Sequence, residues 1–274
     1  MQRVFTEFWT SLKQNADKST RSKALRHADY ILPKRTRYAQ SMVFISMVDD
    51  FTRGLIGEVN RFLLNVAHAQ AWIEAAQQYE ESERMSLLWE YADPHLELSV
   101  GRPYSVKNHF VFAAVHLLHQ SNKLTNAGWK DDLPTDDRIG FKLLDEVGSN
   151  WKCFAPFKAK VEQLNNEQFK NATRNFRHRL QHRFRSHFDF GLTPFFEREK
   201  TDAGIAYHYK VIPPLDLEKL IPELYGQQQI AIEVFQAFWE LVNELCAEWD
   251  SRHAKPSFTA LAPSDVKLTM ASPQ

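Results

Sequence analysis

Residues 42–66 read MVFISMVDDFTRGLIGEVNRFLLNV, and apolar side chains recur in them at every third or fourth position. This is the period of an α-helix that buries one face. The stripe consists of Phe44, Val48, Phe51, Leu55, Val59, Phe62 and Val66. The spacing predicts one long helix from about residue 37 to about residue 78, and Gly54 and Gly57 are where we expect any bend.

Most of the remaining chain has the same helical period. Phe5, Phe8, Trp9 and Leu12 predict a short N-terminal helix, and further helices are predicted over about 83–91, 141–147, 152–164, 167–185, 215–220 and 227–251. A helix over residues 104–123 would bury Val106, Phe110, Ala114 and Leu117. Because residues 92–103 contain Pro94, Gly101 and Pro103, we expect that helix to begin only after a break.

One segment has the alternation of β-strands. Tyr207, Tyr209 and Val211 alternate with Ala206, His208 and Lys210, which predicts a hairpin formed by residues 193–200 and 205–212. The predicted fold is therefore mainly α, a helical bundle with a small β-hairpin before the last long helix. We expect a single α-helical domain over residues 1–254, with the N-terminal helices as an elaboration, and a disordered tail over residues 255–274.

Composition narrows the class of protein. The 274 residues carry a formal net charge of zero and a sequence pI near 7.2, which argues against a protein that coats nucleic acid along its whole surface. Two cysteines are too few for a disulfide framework. No apolar run approaches the roughly 20 residues of a membrane span, and Glu7 interrupts any signal peptide. We predict a cytoplasmic protein without membrane association.

The charge of the chain is nevertheless unevenly distributed. Residues 168–188 contain six Lys or Arg and three His, and no acidic residue. A solvated helix usually carries both signs, because like charges one turn apart repel. We therefore expect this segment to bind a phosphate-rich partner.

If residues 167–185 form one helix, a helical wheel separates two faces. The predicted core face comprises Phe169, Thr173, Phe176, Leu180 and Phe184. The predicted polar face comprises Arg174, His178, Gln181 and Arg185, with Arg177 and His182 on its flanks. We expect Arg174, Gln181 and Arg185 to contact RNA or phosphate.

The hexapeptide Arg177-His178-Arg179-Leu180-Gln181-His182 carries a family resemblance. It resembles the signature of the HEPN domains (higher eukaryotes and prokaryotes nucleotide-binding), which is Arg, four to six residues, then His, on a helix late in an all-α bundle. The residue after the Arg is commonly Asn, Asp or His. Arg177, His178 and His182 match these positions.

The resemblance implies an endoribonuclease that acts without a metal or other cofactor, as a homodimer whose motif helices face each other. It implies products with 2′,3′-cyclic phosphate and 5′-hydroxyl ends. It also implies a toxin or antiphage effector, with an antitoxin protein as a possible partner.

The chemistry of RNA cleavage agrees with this assignment. A proton must leave the 2′-hydroxyl, another must reach the 5′-oxygen, and the extra negative charge on phosphorus must be stabilised. Imidazole titrates near neutral pH and Arg is a permanent cation. We expect His182 to act as the acid or base, Arg177 to clamp the phosphate, and His178 to orient the substrate or assist proton transfer.

Other interpretations remain open. His178 and His182, one turn apart with His187 nearby, could chelate a metal, although supporting carboxylates are missing from the segment. The protein could bind nucleotide or RNA without cleaving it, which predicts affinity without cleavage. It could instead be a helical interaction protein whose basic strip binds an acidic partner, and Arg174 or Arg185 would then matter more than His182. A dimer of like-charged strips would also need substrate, anions or apolar neighbours to offset repulsion.

Overall fold

The computed structural model describes residues 2–15, 23–32, 42–182, 184–201 and 204–253. Its helices are α1 (Gln2–Asn15), α2 (Met42–Ala76), α3 (Glu81–Leu87), α4 (Asp93–Thr125), α5 (Phe141–Gly148), α6 (Phe154–Gln163), α7 (Glu167–Ala172), α8 (Phe176–His182) and α9 (Leu217–His253). The strands β1 (Thr193–Thr201) and β2 (Gly204–Ile212) form an antiparallel hairpin. The prediction of a mainly α fold with a hairpin before the last long helix is confirmed. The predicted tail lies outside the described residues.

Three long helices enclose the core. The apolar stripe of α2 is buried as predicted, except that Phe51 is only half-buried, and α2 packs against α1, α4 and α9. Phe110 of α4 lies 5.8 Å from Phe238 of α9, measured between ring centroids. Gln228 of α9 is buried, and its amide donates to the Phe62 carbonyl of α2 at 3.1 Å. In the part of the chain that the structure describes, no helix combines the length and apolarity that crossing a bilayer requires.

The predicted break before residue 104 is wrong. Helix α4 runs without interruption through Gly101 and Pro103. Pro94 lies in its first turn, directly after a π-helical turn at Leu88–Ala92 whose last hydrogen bond runs from the Asp93 N–H to the Leu88 carbonyl. Leu96, Val100, Pro103 and Val106 are all buried, so one apolar stripe continues through the proline. Burial of this stripe outweighs the roughly 3 kcal/mol that an interior proline costs a helix.

The predicted separation of residues 215–220 from residues 227–251 is also wrong, because α9 is one helix with Pro222 inside it. Asp216 precedes the helix and its carboxylate accepts a hydrogen bond from the Glu218 N–H at 2.9 Å. The buried residues Leu220, Ile221 and Leu224 then carry the core stripe past the proline. Here too, tertiary packing keeps the helix continuous although local propensity disfavours helix at the proline.

An aromatic cluster attaches α1 to the body. Phe8 stacks on Trp72 of α2 with ring centroids 4.1 Å apart, and Trp72 stacks on Tyr91 at 4.5 Å. The His68 ring lies 5.8 Å from the Phe8 ring and 5.0 Å from the His95 ring, measured between centroids. Burial lowers the pKa of both histidines, and the charge of His68 lowers the pKa of His95 further.

These two histidines predict loss of stability in mild acid. Their folded-state pKa values lie below the ordinary value of 6.5, so the unfolded chain binds more protons as the pH falls through that value. The free energy of unfolding should therefore decrease from pH 7.5 to about pH 5.5. In urea titrations, His68→Gln/His95→Gln should lose less stability over this range than wild type, although burial also lowers the pKa of His116 in both proteins. Equal losses would contradict the assignment.

Gly148 is the last residue of α5, and we expect a methyl group at this position to disturb the packing. A Cβ at this position would lie 2.2 Å from Cε2 of the Phe154 ring, so the ring would have to move. We expect Gly148→Ala to lower the free energy of unfolding by about 1–3 kcal/mol.

Gly57 supplies the matched control, because a Cβ there meets nothing within 4 Å on the exposed side of α2. Gly57→Ala should raise the free energy of unfolding by about 0.5–1 kcal/mol. Urea denaturation measures both variants. A Gly148→Ala protein as stable as Gly57→Ala would show that the Phe154 contact is not restrictive.

Candidate functional site

The basic segment is not one helix, and this prediction is wrong. It folds as α7 and α8, separated by a turn at residues 173–175. The Asn166 side chain caps α7 by accepting from the Phe169 N–H at 2.9 Å. At the other end, the Thr173 hydroxyl donates to the Phe169 carbonyl at 2.8 Å. The Asn166 bond therefore starts α7, and the Thr173 bond accompanies its end after six residues.

Two successive residues in the turn have left-handed backbone, with φ of 51° at Arg174 and 54° at Asn175. Asn tolerates this region, whereas Arg174 is held there at a cost of about 1 kcal/mol. The Asn175 N–H donates to the Lys170 carbonyl at 2.7 Å, which closes the turn. The turn also changes the direction of the chain, so that α8 does not continue the wheel of α7.

The predicted core face therefore holds only in part. Phe169, Thr173 and Phe176 are buried, as expected. Leu180 is exposed and Phe184 is 78% exposed, so their assignment to the core is wrong. Since the break falls between Thr173 and Phe176, only Phe176 of α8 reaches the interior.

Arg177 has a defined position. Its Cζ lies 3.3 Å from the centroid of the Tyr104 ring on α4, a cation–π stack. Stacking occupies the flat face of the guanidinium, whereas its N–H donors lie at the edge. Arg177 is half-buried, and its contact with the ring restricts where the cation can lie.

His178 and His182 are adjacent on α8. Their ring centroids are 4.8 Å apart and both side chains are exposed. The i,i+4 spacing that suggested this pair in the sequence brings the rings together within a single turn. Arg177, His178 and His182 thus lie on one short helix, with Gln181 exposed between them.

Arg174 and Arg185 are engaged with the rest of the fold. The Arg174 guanidinium donates to the Pro213 carbonyl at the end of β2. Arg185 donates to both Asp93 oxygens, and its Nε lies 3.1 Å from Glu97 Oε2. Phosphate binding by Arg185 would have to displace two carboxylates.

Asp93, Glu97 and Tyr104 were not predicted to belong to the site. On one continuous helix these three positions fall within about 40° of each other. The break predicted at residues 92–103 would separate Asp93 and Glu97 from Tyr104, so the three were not predicted to share a common face. Had α4 been read as continuous, the two carboxylates and the ring would have marked the surface that receives the basic segment.

The described residues contain no group of three or more His, Cys, Asp or Glu that could hold a metal ion. Comparisons with protein-family models, with curated proteins and with solved structures gave no match for this chain. The arrangement around α8 is therefore the basis for the functional assignment.

The contacts of Arg185 predict a structural role that can be measured. Its side chain is 24% exposed and that of Asp93 19%, so Arg185→Ala leaves two half-buried carboxylates without their partner. We expect the free energy of unfolding to fall by about 1–3 kcal/mol. Gln181→Ala, an exposed change on the same segment, should alter it by less than about 0.5 kcal/mol. Urea denaturation of both variants measures the difference, and two equal values would contradict this role.

Proposed function

We propose that this chain is a metal-independent endoribonuclease that acts through Arg177, His178 and His182. One observation supports this most strongly: the Arg177 guanidinium is stacked at 3.3 Å on Tyr104, and the same short helix carries two exposed imidazoles one turn apart. A fixed cation and proton-transfer groups are the two components that cleavage of a phosphodiester requires. The HEPN-like order of these residues in the sequence agrees with the same chemistry.

Arg177 acts on the phosphate. Negative charge builds on the phosphate oxygens as the 2′-oxygen attacks phosphorus, and a guanidinium already held in place stabilises that charge without reorganising. Its edge presents parallel N–H donors that match two phosphate oxygens. The Tyr104 stack contributes by restricting the guanidinium to one orientation.

The histidines transfer protons. His182 takes the proton from the 2′-hydroxyl, or returns one to the departing 5′-oxygen, and His178 orients the substrate or assists the transfer. The bond from the 2′-oxygen to phosphorus forms as the bond from phosphorus to the 5′-oxygen breaks. The products are a 2′,3′-cyclic phosphate and a 5′-hydroxyl.

A second copy of the chain completes the site in this proposal. The attacking and leaving oxygens lie on opposite sides of phosphorus, whereas His178 and His182 share one helix. Two α8 helices facing each other across the substrate would place an imidazole on each side. The polyanionic substrate between them offsets the repulsion of like charges.

The other residues of the predicted strip differ in their roles. Gln181 is exposed on α8 and is available for a substrate contact. Arg174 lies at the start of the strip and connects it to Pro213, just after β2. Arg185 belongs to the ion-paired support formed with Asp93 and Glu97.

Cleavage of end-labelled RNA in excess EDTA tests the proposal. Arg177→Ala and His182→Ala should each lower the cleavage rate about 100-fold or more, because a phosphate clamp and an acid–base group are removed. Tyr104→Ala should lower the rate about tenfold, whereas Tyr104→Phe, which keeps the ring, should retain it. His208→Ala, an exposed histidine on β2, is the control and should cleave at the wild-type rate.

Two outcomes would contradict the proposal. If all variants cleave equally, α8 is not the catalytic element. If wild type leaves RNA intact but binds it, and His182→Ala binds it equally well, the protein is a non-catalytic RNA-binding protein.

A further inference from the structure

The hairpin presents an unusual surface. Its register pairs Phe196 with Tyr209 and Arg198 with Tyr207, so these four residues lie on one face of the two strands. We name this the aromatic face, and its members are Pro194, Phe196, Arg198, Lys200, Ile205, Tyr207, Tyr209 and Val211. Every one of them is exposed, and Phe196, Tyr207 and Tyr209 are each more than 60% exposed.

The opposite face differs in chemistry and pairs its own charges. Glu197 forms an ion pair with Lys210, and Glu199 lies 3.2 Å from His208. Such cross-strand pairs are normal for a face in water. The two faces thus divide the hairpin into an ordinary solvated side and an apolar, cationic side.

Nothing in the described chain covers the aromatic face. The strands pair only with each other there, and a two-stranded sheet has little stability of its own in water. Three exposed rings on one small surface also exceed the scattered apolar residues normal for a protein exterior. This concentration indicates a binding surface.

The charges of the face indicate the ligand. Arg198 and Lys200 are its only ionisable side chains besides the tyrosines, and among the described residues neither pairs with a carboxylate. Rings that stack bases and cations that contact phosphates are the two components of single-strand recognition. Same-face residues on a strand are about 7 Å apart, which lets successive rings receive successive bases.

The base of the hairpin joins the segment that carries the proposed catalytic residues. The Arg174 guanidinium donates to the Pro213 carbonyl just after β2, and the Thr193 hydroxyl at the start of β1 donates to the Arg185 carbonyl at 2.9 Å. A nucleic acid strand on the aromatic face would therefore approach the segment that includes α8. The two surfaces can bind one extended ligand.

We propose that the aromatic face binds single-stranded RNA, with bases stacked on Phe196, Tyr207 and Tyr209 and with phosphates bound by Arg198 and Lys200. The identity of the ligand as RNA rests on the proposed ribonuclease function. The hairpin would select unpaired regions of the substrate, because the bases of a duplex are not free to stack on protein rings. It would then hold the strand for cleavage at α8.

Fluorescence anisotropy with a labelled oligonucleotide of about 12 nucleotides tests this proposal. Its riboses carry 2′-O-methyl groups, which prevent cleavage and allow the wild-type chain to be used. Tyr209→Ala and Phe196→Ala should each weaken binding about tenfold, and Arg198→Gln should reduce the salt dependence of log affinity by about 0.7. His208→Ala and Glu199→Gln, on the opposite face, should bind as wild type does. A duplex of the same sequence should bind more weakly than the single strand.

Three results would overturn the proposal: no binding by wild type, equal binding by variants of both faces, or aromatic-face variants that instead convert a dimer to a monomer in sedimentation. The last would identify a second copy of the chain as the occupant. Because the substituted side chains are exposed, circular dichroism should show an unchanged fold. Each of these results would leave the ribonuclease proposal intact if RNA cleavage still depends on Arg177 and His182. Conversely, a chain that binds single-stranded RNA through the aromatic face without cleaving it would overturn only the ribonuclease proposal.

Discussion

The continuity of α4 through Pro103 is the constraint on which the rest of the molecule depends. The buried stripe of this helix faces α2 and α9, and interrupting it would open the centre of the core. Because the helix is unbroken, Asp93, Glu97 and Tyr104 share a second face. Arg185 pairs with the two carboxylates and Arg177 stacks on the ring, so α4 supports the basic segment at two points.

This support explains how a strongly basic segment can be stable in a protein of zero net charge. Residues 168–188 contain no acidic residue, but in the folded protein Asp93 pairs with Arg185. The Arg177 guanidinium stacks on the Tyr104 ring. His178 and His182 remain exposed beyond these contacts. The fold therefore uses Arg185 to hold the segment in place and leaves the two imidazoles available to a ligand, and the ribonuclease proposal gives Arg177 both roles, since it is held by Tyr104 and clamps the phosphate.

The sequence was sufficient to predict the repeating parts of the fold. The stripe of α2, the inward residues of α4 and the alternation of the hairpin follow from periods of 3.6 and 2, which burial of one face enforces. The sequence was not sufficient at Pro103 and Pro222, because local propensity disfavours helix there and only tertiary packing restores it. It also did not reveal the turn at Arg174 and Asn175, whose left-handed backbone depends on hydrogen bonds made after folding. The adjacency of His178 and His182 was predictable from spacing, whereas the role of Tyr104 required the continuous α4.

The nature of the product ends tests the central claim most directly. RNA incubated with the purified chain in excess EDTA should yield 2′,3′-cyclic phosphate and 5′-hydroxyl ends, and a 2′-deoxy substitution at the cleaved position should prevent the cut, because the 2′-oxygen is the nucleophile. Products with 5′-phosphate ends, or cleavage at a 2′-deoxy position, would contradict the account, since water rather than the ribose would then attack phosphorus.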